Sequence, residues 1–198
     1  MRPLIRTLLL VVAALLGART ASAHPHVLID SHLVFLFEAG RIKAIQMGWK
    51  FDPVYSQTLV QDFDDNKDGQ ISPSEMAAIE AEAFSDTRPL HYLTQAKVDG
   101  KMVDWPKAAD FKMFAHEGSV VYAFRLDFPA PPDPRIQKVA VAVFEESFYI
   151  DIDIPNDAAV KLVGDGAQGC RAAIGEDKAH PLLGGAAFPR RVVIECAG

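Results

Sequence analysis

The chain has 198 residues, with 20 basic and 26 acidic side chains, a formal charge of −6 and 49% hydrophobic residues. That length and apolar content suffice for one domain, or two small ones, with a core large enough to fold unaided. The acidic balance argues against nucleic acid and anionic membrane as partners.

The chain opens on a positive, then greasy, leader. Arg2 and Arg6 precede an uninterrupted apolar run at 8–16, and Ala21-Ser22-Ala23 supplies the small residues a signal peptidase reads. The run is far shorter than the roughly 20 residues that span a bilayer. Residues 1–23 are therefore expected to be a cleaved secretory signal, giving a periplasmic protein that starts at His24. Cleavage leaves 175 residues; Arg2, Arg6 and Arg19 leave with the signal, so 17 basic face 26 acidic residues, a formal −9. No second long apolar segment follows, so no membrane span is expected after cleavage.

From 27 onward Val27, Ile29, Leu33, Phe35 and Phe37 keep odd parity with Ser31 between them, as in a strand with one buried face. "AGR" reads as a turn and "IKAIQMGWKFD" as the second strand of a hairpin. The period then changes. Asp52-Pro53 is a helix start, a capping acid followed by proline at the first helical position. Tyr55, Leu59 and Phe63 recur on one helical face. A second helix is expected over 73–84, with Met76, Ile79 and Ala83 as its apolar face and "SDTRP" as its end. Strand signals return afterwards: two short strands around Asp99-Gly100, a hairpin turning near Glu117-Gly118, and a stiff proline-rich connector at 129–134. Two more strands follow with a break at Glu145-Glu146-Ser147, then "AAVKLVG", a loop-rich stretch at 165–189, and the closing strand "RRVVIEC". The expected fold is α+β. Its β part is mostly antiparallel, made of sandwich-like hairpins, and one helix–loop–helix is inserted at 52–86. Residues 24–198 read as a single β-rich domain, with 129–134 as its candidate sub-boundary.

Between the two helices lies "DDNKDGQISPSE", residues 64–75, which resembles an EF-hand calcium loop position by position. Asp64, Asn66 and Asp68 stand first, third and fifth. Gly69 is sixth, where the chain must turn sharply. Gln70 offers its backbone carbonyl at the seventh, Ser72 is ninth and Glu75 is the twelfth, bidentate carboxylate. Calcium takes six to eight hard oxygens, and alternate residues of a tight loop can aim theirs inward. The same stretch is also a capping box, Ser72 with Glu75 three residues on, and the two readings are compatible. The likeness covers residues 52–84. "DIDIPNDAAV" is not a partner hand, because it lacks the sixth-position glycine and carries Pro155 at the fifth. A lone hand of this composition suits a weak site, acting as a structural clip rather than a sensor.

Two further sets of residues invite chemistry. With the cut after Ala23, His24 would present an α-amine beside its imidazole, and His26 a second imidazole, which suits Zn2+, Cu2+, Ni2+ or Co2+. Pro25 has no N–H and so excludes the square-planar site built on two amide nitrogens. His32, His91 and His116-Glu117 are the candidate distant ligands. The alternative is an incidental pair of surface histidines. Cys170 and Cys196 are the two cysteines, most simply a disulfide in an oxidising compartment, closing a loop worth roughly 3 kcal/mol. Glu145-Glu146 and Asp151/Asp153 could be offered as hydrolytic acids, yet no nucleophile elbow, HExxH or phosphate loop is present. The chain is accordingly expected to be non-enzymatic.

"HPHVLID" after a leader, "WKFDPVYS" ending a Trp-containing strand, "DNKDG" and "VDGK" together resemble the bacterial periplasmic family called domain of unknown function 1007. The resemblance covers most of the chain. It implies a periplasmic component associated with nickel, cobalt or zinc transport, with a membrane metal transporter as the expected partner. Two functions fit these features: a metal-binding accessory protein with a structural calcium site, or a calcium-stabilised interaction domain that docks on an envelope or transporter partner.

Overall fold

The computed structural model describes residues 26–197, which form two β-sheets and one helical insertion. The first hairpin joins β1 (Val27–Glu38) to β2 (Arg41–Phe51). Ala39 and Gly40 both take positive φ, the backbone a two-residue hairpin turn requires. In β1 every odd residue is buried, Ser31 included, and His32 on the other parity is exposed. Then come α1 (Pro53–Phe63) and α2 (Pro73–Ile79), followed by β3 (Thr94–Val98), β4 (Lys101–Met102), β5 (Ala109–His116) and β6 (Ser119–Asp127). The chain ends with β7 (Val139–Val143), β8 (Ile150–Asp153), β9 (Val160–Gly164), β10 (Cys170–Glu176) and β11 (Arg190–Cys196).

The first sheet runs β5-β6-β2-β1-β8, with β9 also on β1; the second runs β10-β11-β7-β3-β4. Pairing is antiparallel except along one edge of β1, where β8 and then β9 add in parallel. Phe35, Ile45 and Phe124 from the first sheet share one buried cluster with Val141 and Val192 from the second and Leu59, Ile79 and Phe84 from the insertion. The fold is thus α+β and mostly antiparallel. The proline-rich connector at 129–134 carries the chain from the first sheet to the second.

Three local expectations are corrected. The second helix does not stay α-helical to 84; it passes into a π turn at Glu80–Phe84. The wider i→i+5 hydrogen bonding of a π turn moves the buried position one residue on, so Phe84 is buried and Ala83 only half-buried. Phe84 packs on Trp49, Tyr92, Phe111 and Phe124, seating the insertion on the first sheet. "SDTRP" does not end the helical path either, which continues as a 3-10 segment, Ser85–Leu93, closed by left-handed residues at His91, Tyr92 and Leu93. Lastly, the loop-rich stretch at 165–189 holds β10, which pairs residue for residue with β11.

Candidate functional site

Each α-helix of the insertion is fixed at its start by a side chain. Asp52 caps α1 through the N–H groups of Val54 and Tyr55, both at 3.0 Å. Inside α1, buried Ser56 accepts the N–H of Val120 at 2.8 Å, tying the helix to β6. Ser72 and Glu75 form a full capping box on α2, and Pro73 occupies its first turn.

The 64–75 loop between them is ordered by its own side chains. Asp64 accepts the N–H groups of Asp68 at 3.1 Å and Gly69 at 2.7 Å. Asn66 accepts Asp68 N–H and Asp68 accepts Gln70 N–H, both at 2.8 Å. Lys67 and Gly69 take positive φ, and at Gly69 a value of 76° reverses the chain at the position assigned to the turn glycine. Glu75 reaches back across the loop, accepting Ser72 N–H at 2.7 Å and Asp65 N–H at 3.0 Å. These bonds, led by the Ser72 N–H, hold its carboxyl below the usual glutamate range. Ile71 lies half-buried against the core, as its place in the loop requires. The result is five oxygen-bearing side chains, Asp64, Asn66, Asp68, Ser72 and Glu75, on one short loop. Their carboxylates are spent on amides of that loop, and among the described residues no three His, Cys, Asp or Glu side chains are gathered tightly enough to hold a metal.

The other candidates are dispersed. His24 lies outside the described residues. His26 is exposed; its ring stacks on Tyr149 with centroids 4.8 Å apart, and its N–H donates to Tyr149 C=O at 2.9 Å. His116 ends β5, three strands across the sheet from β1, or about 14 Å at the usual strand spacing, so it is out of reach of a shared ion. His91 faces Asp104 at 3.8 Å. Glu145 and Glu146 occupy a turn rather than a strand, and Glu145 closes that turn by accepting Ser147 and Tyr149 N–H groups. Asp151 and Asp153 do share a face of β8; burial first, then the charge of Asp153, raises the Asp151 carboxyl above its ordinary range. Cys170 and Cys196 are a disulfide, directly opposite each other on β10 and β11.

A polar cluster that sequence reasoning missed sits on the outer face of the second sheet. Asp177, only 3% exposed, binds His180 Nδ1 through Oδ2 at 2.6 Å. Its Oδ1 accepts Arg191 Nη1 and Ala179 N–H, both at 3.3 Å. Lys97 Nζ stands 3.4 Å from His180 Nε2. The His180 ring also packs against Phe144. The signal in the sequence is slight: "DKAH" resembles an ordinary polar turn, and Lys97 is distant along the chain.

Among comparisons with known proteins, the family model described as protein of unknown function (DUF1007) matches residues 9–181. No curated protein and no solved structure matches the chain.

Proposed function

The chain belongs to the DUF1007 family, and we propose that it is a non-enzymatic, calcium-stabilised accessory domain of the periplasm. In this reading the 64–75 loop takes calcium in the manner of a single EF-hand. The ion draws the carboxylates of Asp64, Asp68 and Glu75 inward with the Asn66 amide, the Gln70 carbonyl and the Ser72 hydroxyl. The observation that carries it is the ladder of side-chain bonds by which Asp64, Asn66 and Asp68 accept the N–H groups of Asp68, Gly69 and Gln70, fixing oxygens of alternate residues within one short loop. An all-oxygen set selects a hard cation over zinc or copper. Calcium there clamps α1 to α2, and both helices seat on the first sheet. The two-sheet body then serves as the surface that docks on an envelope or transporter partner, and the disulfide suits an oxidising compartment.

Thermal melting of the mature protein with calcium and with chelator tests the reading. Calcium should raise the melting temperature with a saturable dependence on concentration. Equal melting in both conditions would sink it.

A second reading keeps a transition-metal role at the N-terminus. It is favoured by His26, an exposed imidazole whose orientation is fixed by Tyr149. His24 would complete the chelate with its amine and ring. Zinc, copper, nickel or cobalt binding no tighter than that of a His24/His26 double alanine variant would remove it.

A further inference from the structure

The outward residues of three adjacent strands meet on the second sheet. Lys97 stands opposite Ala140, Gln95 opposite Ala142, and Ala142 opposite Arg191. Two methyl groups thus floor a hollow between longer walls. The segment carrying Asp177 and His180 crosses above and leaves a cavity of about 70 Å³. At about 10–15 Å³ of such space per water this is room for several waters, enough for a carboxylate or tetrahedral oxyanion head.

The charge of the lining is unbalanced. Both oxygens of Asp177 are occupied, by His180 on one side and by Arg191 and Ala179 on the other. Lys97 is half-buried, and its one polar partner among the described residues is the His180 ring. A partly desolvated ammonium without a counter-charge is costly. The lining therefore carries one positive charge in excess, and two when His180 takes a proton. Asp177 fixes the ring so that Nδ1–H points at the carboxylate and Nε2 faces Lys97.

We propose that this cavity binds a small oxyanion between Lys97 Nζ, His180 Nε2 and the Arg191 guanidinium, and that binding takes up a proton on His180. Protonated Nε2–H and the ammonium then both donate to the anion, where otherwise they would repel each other. Lys97, Asp177 and Arg191 are the charged groups facing the ring, with Gln95 as the neutral donor on the wall and Phe144 packed on the ring face. Phosphate, sulfate and carboxylate share this chemistry.

Amide NMR of the mature, disulfide-bonded protein, titrated with phosphate, sulfate or acetate at fixed ionic strength, tests the site. Saturable shifts are expected at Ala140, Ala142 and Ala179, with tighter binding in mildly acidic than in mildly alkaline buffer. Preference for phosphate and sulfate assigns a tetrahedral anion; preference for acetate assigns a carboxylate. Lys97→Met should weaken binding about tenfold, the scale of one charge-assisted contact, and Lys97→Arg should retain it. Ala140→Leu fills the floor without changing any charge and should abolish binding even if Lys97→Met fails to fold. No saturable shift with any of the three anions, or wild-type binding by both Lys97→Met and Ala140→Leu, overturns the proposal.

Discussion

Leu28 and Asp52 exchange a reciprocal pair of hydrogen bonds: Asp52 N–H donates to Leu28 C=O at 2.9 Å, and Leu28 N–H donates to Asp52 Oδ2 at 3.0 Å. The same carboxylate caps α1 through Oδ1. One side chain therefore sets both where the first strand begins and where the helical insertion departs from the sheet.

Asp52→Ala should cost about 1–2 kcal/mol, the scale of a lost helix cap. Burial raises the Asp52 carboxyl, but the N–H groups of Tyr55, Leu28 and Val54 outweigh it and bring it below 3.8. A lowered folded-state value means that the contribution is fully present above the unfolded-state range and is lost as pH falls through the folded one. Urea denaturation at neutral and strongly acidic pH should show the wild type and variant converging in acid. A gap that stays constant down to the acid limit would contradict the assignment.

Glu75 serves two ends at once, the capping box and the proposed twelfth ligand. Glutamine can still accept the Ser72 N–H but cannot supply a bidentate carboxylate. Glu75→Gln should melt near the wild type in chelator yet lose the calcium-induced rise. Glu75→Ala should melt lower in both conditions. Calorimetry with and without calcium separates the two roles.

Ser31, Trp49 and Tyr122 lie side by side across β1, β2 and β6, and Ser31 Oγ, Trp49 Nε1 and Tyr122 Oη are buried without a hydrogen-bond partner among the described residues. Burial drives the Tyr122 phenol far above its ordinary range, with Tyr55 adding to the effect. Removing an unsatisfied hydroxyl relieves its desolvation penalty, so Tyr122→Phe should stabilise by about 1 kcal/mol. A destabilisation of that size in equilibrium unfolding would mean that the hydroxyl has a partner, such as a bound water.

The Cys170–Cys196 bridge fastens β10, which pairs with β11 alone, at the edge of the second sheet. Replacing both cysteines by serine should cost roughly 3 kcal/mol by loop entropy. Hydrogen exchange should quicken first in β10, and protection in β1 should persist until global unfolding. Uniform loss of protection across both sheets would show that the bridge braces the whole body instead.

The parts legible from sequence are those written locally. Parity in β1, the cap at Asp52, the capping box at Ser72 and the turn at Gly69 each depend on neighbours within a few residues. Phe84 escaped because a π turn shifts the helical phase, and phase is what an i, i+4 reading assumes. The strand β10 escaped because "RAAIG" has small residues where strands usually show branched or aromatic ones. The Asp177–His180 cluster escaped for a different reason: Lys97 lies 83 residues from His180, and only the sheet brings them together. The parallel additions of β8 and β9 are long-range in the same sense.

Those additions bear on how the chain reaches its fold. Val27 pairs with Ile150 and Leu33 with Val160, so the earliest strand is flanked by segments made more than a hundred residues later. A nascent chain can close the β1–β2 hairpin but must leave the other edge of β1 bare until β9 has emerged. Loops of that length are slow to close, and an unpaired edge invites mispairing in the interval. The first sheet is therefore completed last along its earliest described strand, and a truncation anywhere before Gly164 should yield an aggregating chain rather than a smaller domain.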